Sequence, residues 1–347
     1  MRGRIEPRVI YLSGDQPGWD QRPDWFAGRV GYPSEVLNAW QRRRPGRTPL
    51  MLVRGLGRAL GRTGPECVIS WEYGPATWRA LAWCRRHGRP LVIFSELTPW
   101  SDPELSPLQR RIHRLIAPRA AGFVVASSQG VMRLRRMGVD PARVEVALQS
   151  ADLGALVELE RRDRPPGAPV RVLSIGRLVP DKNLAALVSA FAEAGFAEGE
   201  AELVVRGSGP LESELRALAD RLGVPARFDG YAAPADLPAT YADADVLALV
   251  STYEPFGVTM REGAAAGLPL VCSQRAGAAG DVAVAGENAL LVDPTRRAEI
   301  VAALRSLVRD SGLRRRLAAG SRAVTARHPP DADAEAWERA VLKASGR

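Results

Sequence analysis

The chain has 347 residues, of which 46% are hydrophobic and 25% charged, a composition typical of a globular protein with buried cores. No apolar run is long enough to cross a bilayer, and the N-terminal stretch lacks the apolar core of a signal peptide. The three cysteines have neither metal-binding nor redox spacing, which favours a reducing cytoplasm.

The net charge of +9 is unevenly distributed along the chain. Residues 1–165 carry +11 and the remainder −2, and all but two of the 48 basic residues are arginine, a bias typical of a GC-rich bacterial genome. A basic half favours an anionic partner, although a solvated arginine coat explains the same pattern. No nucleic-acid-binding module accompanies the charge, so nucleic acid is not a predicted partner.

Short apolar runs alternate with longer amphipathic segments, which predicts α/β structure with parallel sheets. Apolar spacing of i, i+3 and i+4 predicts helices over 183–194 and 210–222. The predicted strands cover 8–12, 67–70, 90–94, 122–127, 143–148, 170–176, 201–207, 246–251 and 268–273.

A charged, proline-rich segment at 161–169 has no periodicity and predicts a linker between two domains. We therefore predict two doubly wound, Rossmann-like domains facing a cleft, residues 1–165 and 166–330, and a last helical segment, 331–347. Ligands of such sheets bind at the carboxyl ends of the strands.

The segment SIGRLVPDKNL (174–184) has the features of an anion site. A strand ends at a glycine, Gly176, and a helix starts soon after, so free backbone N–H groups and the helix dipole point to one place. Arg177 adds a two-pronged donor and Lys182 a point charge. A lysine is informative here because the chain uses arginine almost everywhere else.

Two further strand-end turns are rich in glycine. Gly207 lies in VRGSGPL, which is only a weak signal alone but suggests, with the first turn, a loop against which a nucleotide lies. Gly230 lies in FDGYAAPADL, where backbone groups could read the edge of a base.

The stretch YEPFGVTMREGAAAGLPLVC (253–272) places two carboxylates eight positions apart, Glu254 and Glu262. Pro255 suits the first turn of a helix, which would leave the amides of Phe256, Gly257 and Val258 unpaired. Glu262 would then lie two turns along, where a carboxylate can accept both hydroxyls of a ribose. Glu254 could hold the hydroxyls of a second sugar, so the whole arrangement predicts a nucleotide-sugar site.

Four segments, IGRLVPDKN, GSGPL, YEPFGVTMREGAAAGLPLV and AGENALLVDP, resemble in order and spacing the retaining family-four glycosyltransferases with the GT-B architecture. The resemblance implies an acceptor-binding first domain, a donor-binding second domain and a last helix that packs back on the first. It implies that Arg177 and Lys182 bind the donor diphosphate and that Glu262 holds the ribose. Glu254 would contact the donor sugar beside the Phe256–Val258 backbone, and no metal or other cofactor is implied.

Competing interpretations explain less of the sequence. Two solvated helix glutamates, or the paired carboxylates of a glycosidase, do not account for Arg177, Lys182 and the glycine turns. A catalytically silent nucleotide- or glycan-binding protein, or a membrane-docking protein, on the same scaffold is the alternative to the enzyme.

The first half departs from the family pattern at two places. The first loop carries Gly31 before a predicted helix start at Pro33-Ser34, without the adjacent glycines of the family. Gly31 could offer its amide to a phosphate there, although plain turn chemistry explains the glycine equally well. Ser95 and Glu96 follow the strand at 90–94, where the resemblance would place a histidine. Glu96 is therefore a candidate base or hydroxyl acceptor, and equally a helix cap or ion-pair partner. The histidines His87, His113 and His328 are predicted to lie at the surface.

Two arginine-rich segments, 40–62 and 108–119, contain apolar residues at helical spacing. Each could lie on an anionic membrane surface, or cover a sheet as an ordinary helix with a basic outer face. We predict a bacterial cytoplasmic enzyme, peripheral at the membrane if these segments dock there. Its acceptor would be a lipid-linked or cell-envelope glycan or a small metabolite.

Overall fold

A computed structural model describes residues 5–12, 31–37, 39–44, 47–149, 151–159, 165 and 167–347, with the side chains left out for 39–52 and 330. The chain divides into two compact units, residues 1–147 with 331–347, and residues 148–330. Residues 148–165, which we assigned to the first domain, therefore belong with the second unit. Most of the predicted linker at 161–169 lies outside the described residues.

The first unit is built on a parallel four-stranded sheet with the order β5-β6-β7-β8. Each of these strands falls on a predicted strand. The elements of the unit up to residue 147 are β1 (Val9–Tyr11), β2 (Ser34–Val36), β3 (Ala39–Arg44), β4 (Arg47–Val53), α1 (Leu56–Thr63), β5 (Val68–Trp71), α2 (Pro75–His87), β6 (Leu91–Ser95), α3 (Pro107–Ile116), β7 (Gly122–Val125), α4 (Ser128–Arg136) and β8 (Val144–Val146).

The predicted helix over 40–62 is wrong for its first part. Strands β3 and β4 form an antiparallel pair, in which Arg44 is opposite Arg47, and only α1 is helical. The sequence between the strands is Pro45-Gly46, a strong turn signal that outweighs the helical spacing around it.

The predicted helix start at Pro33-Ser34 is also wrong. Ser34–Val36 forms β2, which pairs in parallel with β1. Gly31 therefore precedes a strand, and the helix N-terminus that would have offered its amides to a phosphate is not formed among residues 31–37.

The second unit contains a parallel six-stranded sheet with the order β11-β10-β9-β12-β13-β14. This is the strand order of the dinucleotide-binding fold, with its topological switch point between β9 and β12. The elements are α5 (Gly154–Val157), β9 (Val170–Ile175), α6 (Leu184–Glu193), β10 (Ala201–Arg206), α7 (Glu212–Arg221), β11 (Ala226–Phe228), α8 (Leu237–Ala242), β12 (Val246–Leu249), α9 (Val258–Ala265), β13 (Leu270–Ser273), β14 (Ala289–Val292), α10 (Arg297–Arg309) and α11 (Ser311–Ala326).

Continuous apolar runs place the middle of this sheet in the core. Every residue of β12 and β13 is buried, as expected for strands covered on both faces. One face packs against α6, α7 and α10, including Leu187, Leu215 and Leu304. Gly263 on α9 lies so close to the sheet that a Cβ there would be 2.4 Å from a methyl carbon of Leu247, which explains the small residues of this helix.

The last helix, α12 (Pro330–Ala344), belongs to the first unit, as the resemblance implies. Ala336 and Ala340 pack in one apolar cluster with Val92 and Val124 of the first sheet. Arg339 and Lys343 also form ion pairs with Glu145 of β8.

Candidate functional site

The turn after β9 brings Gly176 and Lys182 together. Gly176 has φ of 149°, a conformation that only glycine adopts readily, and a Cβ there would lie 3.6 Å from Lys182 Cε. Lys182 ends a short 3-10 turn, Pro180–Lys182, directly before α6. Arg177 follows Gly176 and is exposed.

The glycine turns after β9 and β10 interlock. A Cβ on Gly207 would lie 1.7 Å from the Gly176 oxygen, and one on Gly209 would lie 2.4 Å from the Leu178 oxygen. The Leu178 N–H donates to the Ser208 carbonyl at 3.0 Å. Glycine is therefore required here by close backbone approach.

The turn after β11 joins the same assembly. The Gly207 N–H donates to the Gly230 carbonyl at 2.7 Å, and Gly230 itself has φ of 68°. The structure thus places Gly176, Gly207 and Gly230 at the carboxyl ends of three adjacent strands, linked through their backbones.

Glu254 meets Lys182 across the topological switch point. The two side chains form an ion pair, and Glu254 is only 9% exposed. The loops that carry them are also joined through the backbone, since the Thr252 N–H donates to the Asp181 carbonyl at 2.9 Å. These two predicted site residues, 72 positions apart in sequence, are therefore in direct contact.

The helix after Glu254 begins later than predicted. Gly257, with φ of 100°, is the N-cap, and α9 starts at Val258, so Pro255 lies before the helix rather than in its first turn. The Phe256 carbonyl accepts from Ala278 N–H at 2.9 Å, which fixes the loop. Among the described residues, no hydrogen bond is formed by the N–H groups of Phe256, Gly257 and Val258, which lie at the open start of the helix.

Glu262 lies on α9 and already has a partner. The hydroxyl of Tyr241, in α8, donates to Glu262 Oε2 at 2.6 Å. Desolvation raises the pKa of Glu262, and the bond from Tyr241 opposes that rise. The sequence analysis missed Tyr241, because no local pattern marks a tyrosine 21 residues away as a partner of this glutamate.

The first unit presents a different set of groups where β5 and β6 end. Ser95 Oγ donates to Glu72 Oε2 at 2.9 Å, and the Glu96 N–H donates to Glu72 Oε1 at 2.7 Å. The predicted residues Ser95 and Glu96 are therefore joined to a third, Glu72, which we did not predict. Gly31 is exposed, and a Cβ built on it would have no atom within 4 Å.

Glu72 has two unusual properties. Its backbone φ is 54°, in the left-handed region that residues other than glycine and asparagine rarely adopt. Desolvation raises the pKa of its carboxyl to about 7, although the hydrogen bonds from Glu96 N–H and Ser95 oppose the shift. No local sequence pattern identifies the bonds to Glu72, because Ser95 and Glu96 lie more than 20 positions away.

The prediction that all three histidines are surface residues is wrong for His113. Its ring is buried and stacks on Tyr73 at 4.3 Å between centroids, and its Nδ1 is 3.0 Å from Arg133 Nη2. Arg133 in turn donates to Asp102 at 2.8 Å. Desolvation and the nearby Arg133 lower the pKa of His113 to about 4, so the ring is a neutral structural element.

Over the described ranges of both units, no three His, Cys, Asp or Glu side chains are grouped as metal ligands. Over the same ranges, no helix has the length and hydropathy needed to cross a membrane.

Comparison with known families matches both halves of the chain. The family described as Glycosyl transferases group 1 matches residues 158–324, and the Glycosyl transferase 4-like domain matches residues 2–147. With the strand order and the glycine turns, these matches define the class: the chain belongs to the family-four glycosyltransferases with the GT-B architecture.

Curated relatives are similar over most of this chain. The D-inositol 3-phosphate glycosyltransferase of Rhodococcus jostii is 33% identical over 77% of this chain and 62% of its own length. The corresponding protein of Corynebacterium kroppenstedtii is 31% identical over 71% and 58%. The chain therefore spans less than two thirds of each of these relatives.

Solved structures share the fold over nearly the whole chain. HepE of Anabaena, crystallised with UDP, superposes with a TM-score of 0.73 at 18% identity, covering 96% of this chain and 98% of that one. A sucrose-phosphate synthase from Thermosynechococcus elongatus superposes with a TM-score of 0.70 at 18% identity, covering 97% and 86%.

Proposed function

We propose that this protein is a glycosyltransferase that moves a sugar from a nucleotide-diphosphate sugar to an acceptor hydroxyl. The observation that carries the proposal is the group at the switch point of the second sheet. There, the first of three interlocked glycine turns lies against Lys182, which forms an ion pair with the nearly buried Glu254. The binding of UDP and UDP-glucose by HepE, which has the same fold, supports a nucleotide sugar as the donor.

Charge decides the roles of the residues. When the bond between sugar and phosphate breaks, negative charge grows on the leaving diphosphate. Lys182 and Arg177 are cations in the turn after β9, and groups held where charge develops stabilise the transition state more than the ground state. Because Lys182 is paired with Glu254, we expect the diphosphate to compete for Lys182 and free Glu254 to accept sugar hydroxyls.

We propose that the three glycine turns and Glu262 of α9 bind the rest of the donor. Backbone groups at Gly176, Gly207 and Gly230 contact the phosphates and the base, because no side chain separates them from a ligand. The N–H groups of Phe256, Gly257 and Val258 support the phosphate or the sugar. Glu262 holds the ribose.

The finer points of the reaction follow the family. We propose retention of the donor's anomeric configuration through same-face attack of the acceptor hydroxyl, without a metal. The acceptor binds to the first unit, where Ser95, Glu96 and Glu72 offer hydrogen-bonding groups in place of the family histidine. A cell-envelope glycan or a glycosylated metabolite, made in the cytoplasm, is the proposed product.

A thermal-shift screen tests donor binding. A ligand that binds only the native state raises the melting temperature, so at least one of UDP, ADP and GDP, or their sugars, should raise it clearly. The rise should shrink in Arg177→Ala and in Glu262→Ala. Arg297→Ala, which removes a surface arginine paired with Glu193, is the matched control and should keep the full rise. No rise with any nucleoside diphosphate would contradict the proposal.

Catalysis is separated from silent binding by donor turnover. Incubation of the wild type with the sugar nucleotide that gives the largest thermal shift should release nucleoside diphosphate, slowly with water and faster with an acceptor. Binding without any release over a long incubation would favour a silent nucleotide-binding protein.

The exposed face of α3 supports docking on an anionic membrane. Leu108 is 67% and Leu115 is 41% exposed, and Arg111 and Arg114 beside them are exposed too. Apolar and basic residues on one helix face are the features that bind anionic lipid surfaces.

Vesicle co-sedimentation tests this docking. The wild type should bind phosphatidylglycerol vesicles and not phosphatidylcholine vesicles, and Leu108→Ser with Leu115→Ser should weaken the binding. Leu222→Ser, at an exposed leucine of the second unit, is the control. Equal binding by the double variant and the control would exclude α3 as the docking face.

A further inference from the structure

We propose that Tyr241 is a positioning residue that fixes the carboxylate of Glu262 for recognition of the donor's ribose. The inference rests on the proposed function, since it assumes that Glu262 binds the ribose. It adds a residue on another element, outside the family's glutamate motif, on which discrimination of the ribose hydroxyls depends.

The contact is short and enclosed. Tyr241 is fully buried in α8, and its hydroxyl donates to Glu262 Oε2 at 2.6 Å. A hydroxyl bonded to a carboxylate at this distance forms a strong, charge-assisted hydrogen bond. The tyrosine ring fills the core, so the position of its oxygen is set by packing rather than by a flexible side chain.

This bond leaves a defined part of the carboxylate for a ligand. An ionised carboxylate has about four acceptor sites on two oxygens, and Tyr241 occupies one of them. The other sites can accept the two hydroxyls of a ribose. The bond to Oε2 restricts the rotation of the carboxylate, so a ligand loses less affinity in ordering it.

The bond also favours the ionised form that a diol requires. Desolvation raises the pKa of Glu262, and the Tyr241 hydroxyl lowers it. Two arginines lie on or beside α9. Arg261 donates to the carbonyls of Gln149 and His328, and Arg322 of α11 lies against Gly267.

The experiment uses the nucleoside diphosphate that gives the largest thermal shift, with its 2′-deoxy and 3′-deoxy forms. Calorimetry gives Kd for each with the wild type and with Tyr241→Phe, which removes only the hydroxyl. In the wild type, loss of one ribose hydroxyl should weaken binding roughly tenfold. Tyr241→Phe should weaken ribonucleotide binding by a similar factor and reduce the ribose-to-deoxyribose ratio to about threefold or less.

Two further measurements separate positioning from simple loss of structure. In a Glu262→Gln background, Tyr241→Phe should have little additional effect, because the two residues act as one unit. The affinity lost by Tyr241→Phe should also grow as the pH falls from about 8 to about 5.5, since the hydroxyl that lowers the pKa of Glu262 is gone. Tyr73→Phe removes another buried tyrosine hydroxyl, in the first unit, and should leave all these values unchanged.

The outcomes are distinct. If no nucleoside diphosphate binds the wild type, the proposed function fails. If nucleotides bind and Tyr241→Phe keeps the wild-type ratio between ribose and deoxyribose forms, only the role of Tyr241 is wrong. An equal loss of affinity in the wild-type and Glu262→Gln backgrounds would also overturn it.

Discussion

The two parallel sheets of this protein end in different chemistry at their carboxyl edges. In the second unit, the edge is formed by glycine turns in backbone contact, with Lys182 and Glu254 paired beside them. In the first unit, it carries Glu72 held by Ser95 and Glu96. The same architecture thus presents glycine turns and a lysine paired with a carboxylate at one edge, and a carboxylate held only by neutral donors at the other. The first arrangement suits phosphates, and the second suits hydroxyls.

The largest expected effect is at Gly207, where the carboxyl edge of the second sheet depends on close backbone approach. Gly207→Ala would place a Cβ 1.7 Å from the Gly176 oxygen at φ of 140°, so the two turns must separate. We expect a loss of more than about 3 kcal/mol in the free energy of unfolding, measured by urea denaturation.

Gly223→Ala is the matched control for this substitution. Gly223 has φ of 63°, and a Cβ built on it would have no atom within 4 Å. Gly223→Ala should therefore lower the free energy of unfolding by only about 1 kcal/mol. Equal losses at Gly207 and Gly223 would show that the turns do not need to touch.

The next effect is on catalysis at the same edge. Lys182→Met removes the cation and leaves Glu254 nearly buried without its partner. We expect kcat to fall by about 10²–10³-fold, the usual cost of removing one group that stabilises the transition state. Lys343→Met, at the only other lysine of the chain, should leave kcat unchanged. A fall in affinity with an unchanged kcat would limit Lys182 to donor binding.

The smallest expected effect is on stability, at Glu72 on the carboxyl edge of the first sheet. Glu72 has its pKa raised from 4.5 to about 7, so between these values the native state binds more protons than the unfolded state. Its contribution to stability is therefore present at low pH and lost as the pH rises through about 7. Glu72→Gln should remove this fall in the free energy of unfolding, an effect on the order of 3 kcal/mol at most, measured by urea denaturation at several pH values. An unchanged pH profile would show that Glu72 is solvated.

Local patterns were sufficient to predict the framework of this protein. The nine predicted strands and the two helices of the second half are present, because continuous apolar runs and helical spacing are properties of short segments. The sequence does not predict β2, β3 and β4, where it favours helices, or β11 and β14. Strand β11 has only three residues, all partly buried, and β14 lies within one of the family motifs.

The contacts of the site were less predictable, because they join distant parts of the chain. Gly176, Lys182 and Glu254 were identified from turn chemistry, but their contact follows from the strand order around β9 and β12. Tyr241 and Glu72 carry no local signal. His113 was misassigned because its neighbours in sequence are arginines, whereas its ring packs on Tyr73, 40 positions earlier.

The position of α12 has a consequence for how the protein is made. The apolar face formed by Val92 and Val124 is completed by Ala336 and Ala340, which are synthesised more than 200 residues later. Domains generally fold as units during synthesis, the N-terminal one first. The first unit leaves the ribosome first, but it includes residues 331–347 and is completed only when the last helix is made. The second unit, residues 148–330, is complete before that helix. A chain that has left the ribosome only as far as residue 330 would therefore contain a complete second unit and a first unit with an uncovered apolar face.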